Sequence, residues 1–167
     1  MFSKTRFLFI LLIVLSLGVG PVLAQENAES QPAVASGGHG SATHVSGQFF
    51  LTLFGGPGCN SPTGLCTTGT VNGGIVGDVF SDVTVFDERP TFIFVEGNTT
   101  ITTADGVLYT ELRGKVNTSN GTSATRLRIV GGTGIYEGAR GMIINRGVLD
   151  PNTGVEVVDY RGVIVVN

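Results

Sequence analysis

Arg128-Ile129-Val130-Gly131-Gly132-Thr133-Gly134-Ile135-Tyr136-Glu137-Gly138-Ala139-Arg140-Gly141 is the stretch on which the fold turns. An alternating run enters a glycine-dense turn and leaves toward another apolar run. A dinucleotide-binding reading would need G-x-G-x-x-G opening a helix. Here Gly132-x-Gly134 is followed by Glu137 where the third glycine belongs. Gly138 and Gly141 would each cost a helix about 1 kcal/mol against alanine. A P-loop needs Gly-Lys-Ser/Thr, and the chain has none. The glycines fit better as sharp bends between strands.

Working outward, short alternating runs bounded by turn residues fill the chain from residue 47 on, with no helical periodicity. Phe49, Leu51 and Leu53 alternate with Gln48, Phe50, Thr52 and Phe54. Residues 68–86 form a strand region broken or bulged at Gly73-Gly74. There Ile75, Val79, Val83 and Val85 share one face, and Asp78, Phe80, Asp82, Thr84 and Phe86 the other. Asp87-Glu88-Arg89-Pro90 is a solvated turn. Strands over 91–95 and 99–103 flank a turn at Glu96-Gly97-Asn98, and Ala104-Asp105-Gly106 is a hairpin turn of the D-G kind. Strands follow over 107–116, 122–130 and 142–148. The Asp150–Gly154 turn leads to a last strand over 155–166. About eight strands suffice to close a barrel whose interior holds side chains or one small ligand.

The segment Val130-Gly131-Gly132-Thr133-Gly134, followed by Ala139-Arg140-Gly141, resembles the VGGTG…ARG signature of plant dirigent proteins. It is also similar to the GGSGIFEG segment of allene oxide cyclases. Val157-Val158-Asp159-Tyr160 resembles the V-V-E-Y of the final dirigent strand. These matches cover roughly the last quarter of the chain. The resemblance implies an all-β fold, a closed eight-stranded antiparallel barrel of the allene oxide cyclase/dirigent type. It also implies a trimer. It assigns no catalytic residue to this sequence.

The chain divides into three. Residues 1–24 read as a secretory signal peptide: Lys4 and Arg6, an apolar run over 7–19, and Val22-Leu23-Ala24 before Gln25. The apolar run is short for a bilayer about 30 Å thick. Residues 25–46 read as a disordered Ser/Gly/Ala-rich linker with too few apolar side chains to bury a core. His39 and His44 lie in it with no Cys, Asp or Glu beside them, so they are solvated, with no metal expected. Residues 47–167 are the β-barrel domain. Loss of Lys4 and Arg6 leaves 8 Lys+Arg against 13 Asp+Glu, a net charge of −5. That balance gives no basic footprint for nucleic acid. The expected location is secreted or periplasmic. Cys59 and Cys66, seven apart, are expected to form a disulfide in an exported chain. N-x-[ST] triplets begin at Asn98, Asn117 and Asn120; their glycosylation depends on the source and stays open. An outer-membrane barrel is disfavoured. The chain has no Trp and three Tyr, and its Glu111/Arg113/Lys115 and Arg126/Arg128 faces would be costly in lipid.

No catalytic constellation stands out. No histidine follows His44, which removes a Ser-His-Asp triad or a histidine metal site from the barrel, and no cofactor is expected. Two functions remain. One is an exported barrel that binds a small, mostly apolar molecule or mediates protein contacts without chemistry. The other is a cyclase, isomerase or dirigent-like protein that steers closure of a reactive intermediate in the lumen, which needs confinement more than a nucleophile. A packed apolar interior favours the first, an ionisable cluster in an open lumen the second. Apolar residues on both faces of one strand, Phe80 and Phe86 opposite Val79 and Val85, point to a homo-oligomer. In the last strand Asp159 and Arg161 would lose hydration inside a closed barrel. Tyr160 and Glu156 therefore face inward, the candidate ligand contacts, with Glu156 nearer a mouth.

Overall fold

The computed structural model describes residues 40–167. The expected signal peptide, most of the expected linker, and His39 lie outside them. Eight strands form one closed antiparallel barrel, each paired with its neighbours in sequence and β1 closing on β8. They are β1 (Ser41–Phe54), β2 (Cys66–Gly73), β3 (Gly77–Glu88), β4 (Phe92–Thr103), β5 (Gly106–Asn117), β6 (Thr122–Gly132), β7 (Arg140–Leu149) and β8 (Val155–Val166).

Three details differ from the sequence reading. The strand over residues 48–54 starts earlier, so Ser41–Ser46 belong to β1 and not to the linker. These residues pair with Arg161–Val166 of β8. Their order comes from the partner strand, and Val45 is the one buried side chain among them. Residues 68–86 are two strands joined through Gly74–Val76, whereas 91–95 and 99–103 are one strand, β4. The strand total came out as expected because one region splits where two fuse. Finally, Val85 does not share the inner face of Val79 and Val83. A bulge at Thr84 separates the pairs Val83/Gly97 and Val85/Glu96, so alternation resets and Val85 is exposed.

Gly97 faces inward, and so do Gly47 and several other strand glycines. A Cβ on Gly47 would lie 2.0 Å from the Asn72 carbonyl oxygen of the adjacent strand. Glycine there lets neighbouring strands curve tightly enough to close a small barrel.

The interior has two halves. At one end Val45, Val71, Ile75, Ile101, Leu108, Ile129, Ile143, Tyr160 and Ile164 pack together. The Thr133–Ala139 connection caps this end. Gly134 opens a single 3-10 turn at φ +61°, and its Cα approaches the Asp105 carbonyl so closely that a Cβ would sit 2.1 Å from it. The Thr133 and Ile135 N–H groups donate to the Val107 and Asp105 carbonyls at 2.8 and 3.1 Å. Ala139 is buried in the core and Tyr136 packs against it. The glycine-rich signature thus builds the plugged end of the barrel. The opposite end is where the site lies.

Candidate functional site

At the open end the strand termini surround a cup of about 80 Å3. Phe49, Val79 and Val158 form its floor. Leu51, Leu53, Val83, Val95, Leu112, Val116, Leu127 and Leu149 supply most of its wall. The space equals on the order of half a dozen waters at about 10–15 Å3 each. A single ring is the size of ligand it suits.

The mouth is held by the Gly55–Leu65 loop. Cys59 and Cys66 are disulfide-bonded, with Cα atoms 5.6 Å apart, and Cys66 is fully buried. The hydroxyls of Ser61 and Thr63 both donate to the Val83 carbonyl, and the Val83 N–H donates to the Leu65 carbonyl at 3.1 Å. Leu65 is thereby fixed on the cup wall.

The polar groups of the cup fall into two sets. On the β3–β5 side they satisfy one another: Ser81 and Thr99 hydroxyls are 2.8 Å apart, and the Thr110 hydroxyl donates to the Thr99 carbonyl at 3.0 Å. On the β6–β8 side they do not. Ser123 Oγ and Asn145 Oδ1 are buried without a partner in the protein. Glu156 lies on the same wall, opposite Leu51 in β1 and Leu149 in β7. Burial raises the Glu156 carboxyl above its ordinary 4.5. Nearby Ser123 pulls the other way, but no well-formed hydrogen bond joins the two groups, as the unpartnered Ser123 hydroxyl shows.

This shift has a sign in stability. The folded state holds the Glu156 proton to higher pH than the unfolded chain does. Its favourable contribution is complete below about pH 4.5 and is lost as pH rises through the folded value. Urea midpoints for the wild type and Glu156→Gln should therefore run parallel below pH 4.5 and diverge above it, the wild type falling. Parallel curves up to pH 8 would show that Glu156 ionises freely.

β8 places the two candidate residues at different depths. Tyr160 faces inward, 4% exposed, whereas Asp159 and Arg161 face outward. Tyr160 lies beneath the cup rather than on its wall. Its ring stacks at a tilt on Phe49, centroids 5.0 Å apart, and its hydroxyl accepts the Ile75 N–H at 2.9 Å. Burial pushes that phenol above its usual range. Glu156 lines the cup nearer the mouth. Ser123 and Asn145 escaped the sequence reading. Each is one polar residue among alternating ones, and only the closed register turns it inward.

Among the described residues, no group of three or more His, Cys, Asp or Glu could hold a metal ion, and His44 lies on the outside of β1. No helix among them is long and apolar enough to cross a membrane.

No family model matches the sequence, and no curated protein does. Among solved structures the chain is similar to the pterocarpan synthase dirigent protein GePTS1. The two are 16% identical over 79% of this chain and 88% of that one, with a TM-score of 0.37. The pterocarpan synthase dirigent protein PsPTS1 is likewise 16% identical, over 75% of this chain and 95% of its own, at a TM-score of 0.34.

Proposed function

We propose that the cup binds a small, mostly apolar molecule, of about one ring, that carries a hydroxyl. The observation behind this reading is the one-sided polarity of the wall. Asn145 Oδ1 on the wall, and Ser123 Oγ close to Glu156, are buried and lack protein partners, and burial shifts the Glu156 carboxyl toward its neutral form, while the opposite wall is apolar or self-satisfied. Buried polar groups without partners cost roughly 1–3 kcal/mol each, and a ligand hydroxyl would recover part of that. Para-cresol and toluene make the test, because they differ by that hydroxyl. Para-cresol should shift the NMR methyl signals of Leu112 and Val116 and bind about tenfold tighter than toluene. Asn145→Leu should erase the difference. Equal binding of both compounds by the wild type, or binding of neither, would defeat the proposal.

Among the described residues Glu156 is the one ionisable side chain that lines the cup. This supports binding without chemistry over a reaction that needs an acid–base pair. The steering reading rests on the same residue: burial raises its proton affinity, and a carboxyl in its neutral form in an apolar cup can donate a proton to a confined intermediate. In that case Glu156→Gln would change the product distribution of a bound substrate without weakening its binding.

Export is part of the proposal. Disulfides persist in oxidising compartments, and Cys59–Cys66 accords with one. So is self-association. Phe50 and Phe80 are exposed on the β1 and β3 exterior, and Phe54 packs at 6.3 Å on Phe80. Sedimentation at micromolar concentration should give an oligomer that Phe50→Ser/Phe80→Ser reduces to monomer. A wild-type monomer would remove this part.

A further inference from the structure

Among the described residues, eight side chains are Lys or Arg. Six of them, Arg113, Lys115, Arg126, Arg128, Arg146 and Arg161, are exposed on the exterior of the β5–β8 sheet. Arg140 opens β7 at the edge of the same exterior, so among the described residues only Arg89 lies elsewhere. The acidic residues on or bordering this face are Glu96, Glu111 and Asp159, so with Arg140 it carries a net +4, although the whole chain is at −3. Arg128 pairs with Glu111 at 2.6 Å and Arg113 with Glu96 at 3.5 Å. Asp159 accepts a hydrogen bond from Gln48 at 2.9 Å rather than pairing with Arg146 opposite it. Lys115, Arg126, Arg146 and Arg161 form no ion pair among the described residues.

The register makes this costly. Arg113 and Arg126 are directly opposite across β5 and β6, and Arg161 follows in the same row beyond Ile144. Like charges opposite one another destabilise a sheet. Folding gains from the two cross-strand pairs but not from Arg113 against Arg126 or from the cations left unpaired, so a ligand is the better account of that surplus.

We propose that the β5–β8 exterior binds an anionic polysaccharide with carboxylate or sulfate groups on successive sugars. Six of the seven cations are arginines, whose planar forks match such groups bidentately. Three adjoining troughs of about 320, 420 and 300 Å3 run across the face. They are lined by Arg128, Arg126 and Arg113 with Glu111, by Lys115 and Arg146, and by Arg161 and Arg146 with Asp159. They suit a thin single chain lying across the strands. The exposed aromatics of this exterior stand at opposite ends of β5, Tyr109 at one and Phe94, beside Phe92, at the other, and Lys115 already lies over the Phe92 ring at 5.1 Å, so successive bases of a single-stranded nucleic acid find no continuous stacking platform.

The test uses the whole protein with polygalacturonate and heparin as probes. Arg126→Ser/Arg161→Ser removes two cations from the face. Arg89→Glu makes the same change in net charge away from it, in the turn between β3 and β4. The wild type should bind at least one polymer at low salt and lose it as salt rises. The face variant should bind on the order of thirtyfold more weakly, at about fivefold per exposed cation. The control variant should bind as the wild type does. The proposal fails if the wild type binds neither polymer or if both variants lose affinity equally. It also fails if single-stranded DNA or vesicles of acidic phospholipid bind the wild type as tightly as the polysaccharides.

Discussion

Phe49→Ala lowers the free energy of unfolding by about 3–5 kcal/mol, the range for truncating a fully buried aromatic ring. Phe49 is 1% exposed and belongs both to the packed core and to the floor of the cup. Its ring lies against Tyr160, which is itself tied by its hydroxyl to the Ile75 N–H of the connection between β2 and β3. The strands around it are held by their own ladders, so the site cannot collapse to fill the space. The cup deepens instead, and an apolar compound of about one ring should raise the variant's unfolding midpoint by more than it raises the wild type's. Val148→Ala is the control. Val148 is 55% exposed on the outer face, and its truncation should stay within about 0.5 kcal/mol. Urea denaturation decides between them. Similar losses at both positions would mean that the inward assignment of Phe49 is wrong.

The second large effect is the loss of the disulfide. Cys59→Ala/Cys66→Ala releases a short loop whose closure contributes roughly 2–3 kcal/mol in the chain-entropy model. Cys66 is fully buried beneath that loop, so the alanine pair also removes packing. The consequence extends to the site, because Leu65 on the cup wall is held by the same loop. Unfolding of the wild type with and without reductant should show the same 2–3 kcal/mol, and the double variant should ignore reductant. A wild type indifferent to reductant would mean that the bond contributes nothing.

Much of the fold was legible because alternation and turn chemistry are local. Leu127 and Ile129 against Arg126 and Arg128 fix which way β6 faces, and charge alone turns Tyr160 inward in β8. What was not legible depends on a neighbouring strand. Gly97 reads as a turn because glycine between Glu96 and Asn98 usually is one. In β4 it lets the Asp82 carbonyl approach to where a Cβ would stand, 2.0 Å away. The bulge at Thr84 leaves no mark in the chain, yet it turns Val85 outward. The site was half visible for the same reason. Glu156 stood out as an acid in an apolar run, whereas Ser123 and Asn145 join it only through the pairing of β6, β7 and β8. The arginines of the outer face are spread over some fifty residues, and register alone gathers them.

Closure by the first and last strands makes this chain's history matter. β1 pairs with β8 from Ser41–Val166 to Thr52–Val155, and no shorter piece of the sequence can supply that seam. Before β8 docks, β1 and β7 are open edges, each offering unpaired backbone groups to another chain. The search that joins them spans more than a hundred residues, which places folding in the slow, millisecond-to-second class of β topologies. A chain cut before Val155 would retain seven strands with two sticky borders, and its fate would be aggregation rather than a smaller barrel.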